Sequence, residues 1–325
     1  MVSDGFLWWT LESASKFNIP RFVFYGMCYY SCCVTRAVAI DRLLSGLESN
    51  DELITVPPLP WIKVTRNDFE PSISEGELKG RKFEFTMETI IATLLNSYGI
   101  IFNSFYELEP LFDDYWNREC TPKAWSVGPL CLAEPPKGRT EPHNKPKWVQ
   151  WLDKKLDQGS SVLYVAFGSQ AEISPAQLKE IATGLEESKA NFLWVIRKCE
   201  SEISDGFEER VKDRGIVNSV LESICAGVPI LAWPMMADQP LNARMVVKEI
   251  KVGLRVETCD GSVRGFVKWE GLEKMVKELM EGEKGKEVRK KSKELAEMAK
   301  KAMAEGGSSK CTLDLLINKT CGKKT

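Results

Sequence analysis

The sequence predicts an α/β protein built from doubly wound, mostly parallel sheets in two domains. Three observations carry that expectation. The chain has 325 residues, long for one compact core. Short apolar runs such as "VLYVAF" and "NFLWVIR" alternate with helical patterns, the order that builds parallel sheets. Residues 134–147, "EPPKGRTEPHNKPK", hold four prolines and almost nothing apolar, and so read as a linker.

Along the chain, Met1 and Val2 read as the tail of a strand. Ser3 or Asp4 can cap a helix running to about Phe17, and "RFVFY" is a buried strand. A polar, proline-rich span follows, with "VPPLPWIKVTRNDFEP" as its most irregular part. A helix fits about 82–97, "GIIFNSFYELE" starts as a strand, a short helix covers about 108–118, and "AWSVGPL" closes the half as a strand. Beyond the linker, "WVQWLDKKLDQ" is a helix and "SVLYVAFGS" a strand of the continuous apolar type buried in parallel sheets. "SPAQLKEIATGLEES" is a helix with a Ser-Pro start, followed by the strand "NFLWVIR". "VPILAWP" and "VGLRVE" are strands flanking the helix "PLNARMVVKEI", and from about Lys268 the rest is helical.

Composition removes several function classes. The net charge is −2, without the basic stripe of a nucleic-acid partner. The Lys/Glu-rich stretch 275–305 alternates in sign and reads as a solvated helical face. Ten cysteines without a CxxC pair, and a single histidine, argue against a metal site and for reduced thiols in the cytoplasm. The longest apolar patch, "YGMCYYSCCVTRAVAI", is interrupted by Arg36 and too short to span a membrane. No G-x-G-x-x-G follows a strand, which sets a dinucleotide enzyme aside.

Ligands of open α/β sheets bind at the carboxyl ends of strands. Three polar features sit there. Gly168-Ser169-Gln170 follows "VLYVAF" and is either an ordinary turn or a phosphate contact. Asn218 and Ser219 open a helix. Ser219-x-x-Glu222 matches a capping box, and the same geometry offers N–H groups to a phosphate and a carboxylate to ribose hydroxyls. Asp238-Gln239 precedes Pro240 and is either a helix cap or a carboxylate and amide aimed at sugar hydroxyls.

"NSVLESICAGVPILAWPMMADQPLNARMVVKEIKVGLRVE" resembles the second half of the signature box of plant family 1 UDP-dependent glycosyltransferases. "VSDGFLWWT", "NSFYELE", "VGPL", "WLD", "VLYVAFGS" and "FLWVIR" fall in that family's order. The resemblance implies the GT-B fold, with two Rossmann-like domains. Residues 1–133 would be a partial acceptor-side domain and 148–305 the UDP-sugar domain. Residues 306–325 would form a helix returning toward the first domain. It implies a UDP-sugar donor, glucose by the Asp238-Gln239 end of the box, and a hydroxyl of a small phenolic or other lipophilic acceptor. Neither a cofactor nor a metal is implied. Ser169 and Ser219 would contact the diphosphate with Asn218 beside it. Glu222 would hold the ribose, Asp238 and Gln239 the sugar, and Asp4 would be the acidic member of a catalytic His–Asp pair.

Two parts of the family pattern are missing from this sequence. The catalytic histidine belongs near the family's N-terminus, whereas the one histidine here is His143, in the linker. Two to four βα units, about a hundred residues at ~30 per unit, are expected ahead of Met1. In the signature box, a uracil-stacking tryptophan, a glutamine and a His-Cys-Gly-Trp motif should precede Asn218, yet Val217 joins it directly. About one loop-helix-strand unit is therefore expected to be absent. The chain is expected to be inactive or strongly impaired, with weak donor binding or a partner role as the alternative.

Overall fold

A computed structural model describes residues 1–69, 81, 84, 85, 88, 89, 96–133, 147–168, 171–195 and 220–321. The linker 134–147, with His143, falls outside these residues apart from the backbone of Lys147. So do most of the helix expected over 82–97 and the Val217–Asn218 junction. The chain forms two compact units, Met1–Glu134 with Leu295–Thr325, and Pro135–Glu294.

The first unit opens with β1 (Val2–Asp4), α1 (Thr10–Lys16) and β2 (Phe22–Tyr25). The first helix thus starts at Thr10, not at Ser3 or Asp4. The Asp4 Oδ1 accepts from Phe6 N–H (2.8 Å) and closes a turn at the strand end, so it caps no helix. Next come α2 (Tyr29–Ile40), β3 (Ile54–Val56) and β4 (Leu59–Val64), none of which the sequence reading assigned. α2 is the apolar "YYSCCV…" run, which lacks the polar face that marks an amphipathic helix. It buries Tyr29, Tyr30, Cys33, Val34 and Val38. β3 and β4 form an antiparallel hairpin in the stretch expected to be irregular. Pro57 and Pro58 occupy the tip between the paired residues Val56 and Leu59, where no ladder donor is needed. Then follow β5 (Gly99–Phe102), α3 (Pro110–Glu119) and β6 (Ala124–Ser126). The sheet order is β1-β2-β5-β6, every neighbour parallel, with Val23 opposite Ile100 and Ile101 opposite Trp125.

The second unit holds α4 (Lys147–Asp157), β7 (Val162–Val165), α5 (Pro175–Glu187), β8 (Asn191–Trp194), α6 (Val220–Cys225), β9 (Ile230–Ala232), α7 (Gln239–Arg244), β10 (Gly253–Arg255) and α8 (Trp269–Met280). Ser174 caps α5 by accepting from Gln177 N–H, as the Ser-Pro start predicts. α7 runs on into a π turn, Met245–Glu249. β7 pairs with β8 and β9 with β10, both parallel. Ile181, Leu185, Phe192, Trp194, Val267 and Val276 form the core. The Gln177 amide brackets the backbone of Val267, accepting from its N–H (2.9 Å) and donating to its carbonyl (2.8 Å).

The continuous apolar run "SVLYVAFGS" is of the type buried in parallel sheets. Every residue of β7 and β9 is only half-buried, whereas β5 is buried throughout. Among the described residues β7 and β9 each pair along one edge only.

α9 (Glu283–Met303) runs across the boundary between the units, and α10 (Ser308–Cys321) belongs to the first. Leu313 and Leu316 pack with Phe22, Ile101, Trp125 and Val127. Ser309 donates to the Gly128 carbonyl, and Lys319 lies over the rings of Tyr98 and Trp125 at 5.9 and 5.7 Å.

Candidate functional site

In the second unit the site elements gather where β7 and β9 end. Phe167, just beyond β7, meets Trp233, just beyond β9, edge to face with ring centroids 5.3 Å apart. The two carboxyl ends are therefore neighbours. Gly168 turns the chain away from β7 at φ +77°, a left-handed conformation that suits glycine. Ser169 lies outside the described residues, as do Asn218 and Ser219.

α6 carries Glu222, half-buried, in its first turn. The helix ends at Gly227, whose φ of +68° lets Val228 N–H bond back to the Ser223 carbonyl at 2.9 Å. This stop fixes where "VPILAWP" begins as a strand.

The loop after β9 carries the Asp238–Gln239 pair. Ala237 sits at φ +53°, a left-handed conformation unusual for a residue with a side chain. Asp238 stands at the N-cap position of α7, yet its side chain makes no capping bond. Its Oδ2 instead accepts from Asn242 Nδ2 at 3.0 Å, one helical turn on. Gln239 folds back over the loop, its Oε1 accepting from Met235 N–H (2.8 Å) and Met236 N–H (3.3 Å). Both side chains are half-buried. The simple capping alternative for Asp238 therefore does not describe its side chain. Asn242 was not foreseen as a member of this group, and its only sequence signal was the i,i+4 spacing from Asp238.

In the first unit, Asp4 is exposed at the carboxyl end of β1. The turn it belongs to is fixed from below. Arg21, 2% exposed, donates from Nε to Ser3 Oγ (3.0 Å) and Thr10 Oγ1 (2.9 Å), and from Nη2 to the Leu7 carbonyl (3.2 Å). Gly5 packs under the Tyr25 ring, and a Cβ there would overlap it. Phe6 and Phe85, both exposed, stack beside this turn with ring centroids 6.4 Å apart and planes 11° apart. Neither Arg21 nor Phe85 was singled out from the sequence.

One buried carboxylate lies at the end of the same sheet. Glu109 accepts from Tyr30 N–H (2.8 Å) at the start of α2 and from Ser104 Oγ (2.7 Å). Burial pushes its carboxyl above the ordinary value, against the pull of those hydrogen bonds.

With this geometry in hand, the chain can be set beside known proteins. The family described as "UDP-glucoronosyl and UDP-glucosyl transferase" matches residues 213–295. UDP-glycosyltransferase 90A1 of Arabidopsis thaliana is 52% identical over 351 aligned positions, which cover 99% of this chain and 73% of that protein. UDP-glycosyltransferase 90A2 of the same plant is 46% identical over 354 positions, covering 100% of this chain and 74% of the relative. Both aligned spans exceed the 325 residues of this chain, so both relatives carry residues within the span that this chain lacks. Among solved structures, Phytolacca americana UGT2, complexed with UDP-2fluoro-glucose and pterostilbene, superposes with a TM-score of 0.80 at 27% identity. That match covers 98% of this chain and 76% of the other. The likeness gives the fold class, two Rossmann-like units of the GT-B type.

Proposed function

The chain belongs to the plant family 1 UDP-glycosyltransferases, and on that premise we propose that its second unit binds a UDP-sugar, glucose by preference. The sugar is passed with inversion to a hydroxyl of a small lipophilic acceptor. The observation that carries this reading is the Asp238–Gln239 pair at the carboxyl end of β9, where an uncapped carboxylate and an oriented amide stand side by side. Sugar hydroxyls both donate and accept, and such a pair answers both. Glu222 takes the ribose hydroxyls, and Ser169, Ser219 and Asn218 take the diphosphate. The glucosyl donor and hydroxylated aromatic acceptor of the Phytolacca complex support the same substrate classes.

In the transfer, the acceptor oxygen attacks the anomeric carbon, the bond to the diphosphate breaks, UDP leaves, and a base takes the acceptor proton. Asp4 orients and stabilises that base, whose contribution is typically ~10²–10⁴-fold in rate. The leaving charge is met by N–H groups and side chains, without a metal. The only histidine in these 325 residues is His143, far along the sequence from Asp4. The 325-residue chain is therefore read as a donor binder with strongly impaired turnover. The half-buried β7 and β9 also favour weak donor binding without catalysis as the second reading.

Calorimetry with UDP and UDP-glucose tests the donor reading. Binding that persists in EDTA is expected, and no heat at millimolar ligand would sink it. Rapid glucosylation of a simple phenol by the purified chain would overturn the claim of impaired turnover.

A further inference from the structure

We propose that Asn242 is a positioning residue for the sugar end of the donor, acting through Asp238. The inference rests on the donor-binding reading above and goes further, to the hydroxyl pattern that the site accepts.

The two polar side chains are held by different partners and are left with opposite characters. Asn242 Nδ2 donates to Asp238 Oδ2 at 3.0 Å. Among the described residues no side chain or N–H donates to Oδ1, which keeps its acceptor capacity. An asparagine donates without carrying charge, so it orients the carboxylate without placing a cation beside it. A lysine in its place would neutralise it. On Gln239 the roles reverse. Oε1 is taken by Met235 and Met236 N–H, so the amide turns its Nε2 donors away from the loop. Ala237, directly before the pair, is left-handed at φ +53°.

The pair therefore presents one acceptor and one donor on adjacent residues, each oriented by a bond it already makes. The ligand that fits is a hexose with two neighbouring hydroxyls, one donating to Asp238 and the other accepting from Gln239. Without Asn242 the carboxylate is free to rotate, and its orientation must be fixed when the sugar binds.

The experiment compares the affinities of the full 325-residue chain for UDP-glucose and for UDP, in the wild type, Asn242→Ala and Asn242→Asp. UDP lacks the sugar and serves as the control for the rest of the site. Asn242→Ala is expected to weaken UDP-glucose about three- to tenfold, the value of one hydrogen bond, while UDP binds as before. Asn242→Asp is isosteric and places a second carboxylate against Asp238. It is expected to lose more at pH 7 and to regain affinity at pH 5, where the two carboxylates share a proton. An equal loss for both ligands, or no change in either variant, overturns the proposal. So does a wild type that binds UDP and UDP-glucose alike, which leaves nucleotide binding intact. A wild type that binds neither ligand defeats the donor reading and this inference together.

Discussion

Glu109 is a buried carboxylate that accepts from the backbone of Tyr30 and Tyr29 and from the Ser104 hydroxyl. Its carboxyl is raised by burial, so in the folded chain it holds its proton to higher pH than in the unfolded one. The sign follows from linkage: stability from this group is fully present below the ordinary value of 4.5 and is lost as pH rises through the raised value. Glu109→Gln removes that slope. Urea midpoints measured from pH 4.5 to 7 are expected to fall more steeply for the wild type than for the variant, and parallel curves would contradict this. The same residue scale separates what was legible from what was not. Glu222, Asp238 and Gln239 could be picked out because polar side chains interrupt an apolar stretch at strand ends. Asn242 could not, because an asparagine four residues from an aspartate is as common on a solvated helix face as in a site. Asp4 could be marked as acidic, but its bond to Phe6 N–H depends on where β1 stops, which no local pattern gives.

Elements were legible where their periodicity was clean. Parallel strands and amphipathic helices fell close to their expected places, α5 and α8 among them. α2 was missed because apolar residues surround it, so its period is hidden. The β3–β4 hairpin was missed because prolines at a tip look like prolines in a loop. β7 is the reverse case, an apolar run of the buried type that is found half-buried, as β9 also is. Among the described residues each of them pairs along one edge. Hydrogen exchange followed by mass spectrometry should therefore find the β7 and β9 amides exchanging faster than those of β5, which is buried and paired on both sides. Equal protection would mean that both edges are covered.

At the scale of the whole chain, the proline-rich segment 134–147 reads as a linker from its composition alone. The compact units divide between Glu294 and Leu295, inside α9. A continuous helix carries no sequence mark at such a point. The first unit is completed by α10, whose Leu316 is 6% exposed against Phe22, Ile101 and Trp125. Leu316→Ala should cost about 2–5 kcal/mol, and the loss should fall on the first unit. Pulse proteolysis in urea is expected to show residues 1–133 cleaved at lower denaturant while 148–294 keep their resistance. A uniform shift across the chain would contradict the division.

The pairing of Ser309 with Gly128 spans 181 residues, and this sets an order of events on the ribosome. At ~5–20 residues per second, β6 is made about 10–40 s before the helix that covers it. The strands and helices of Pro135–Glu294 emerge entirely within that interval. A sheet begun before Pro135–Glu294 is thus finished only after it, and Trp125 and Val127 lack the cover of Leu316 until α10 leaves the exit tunnel.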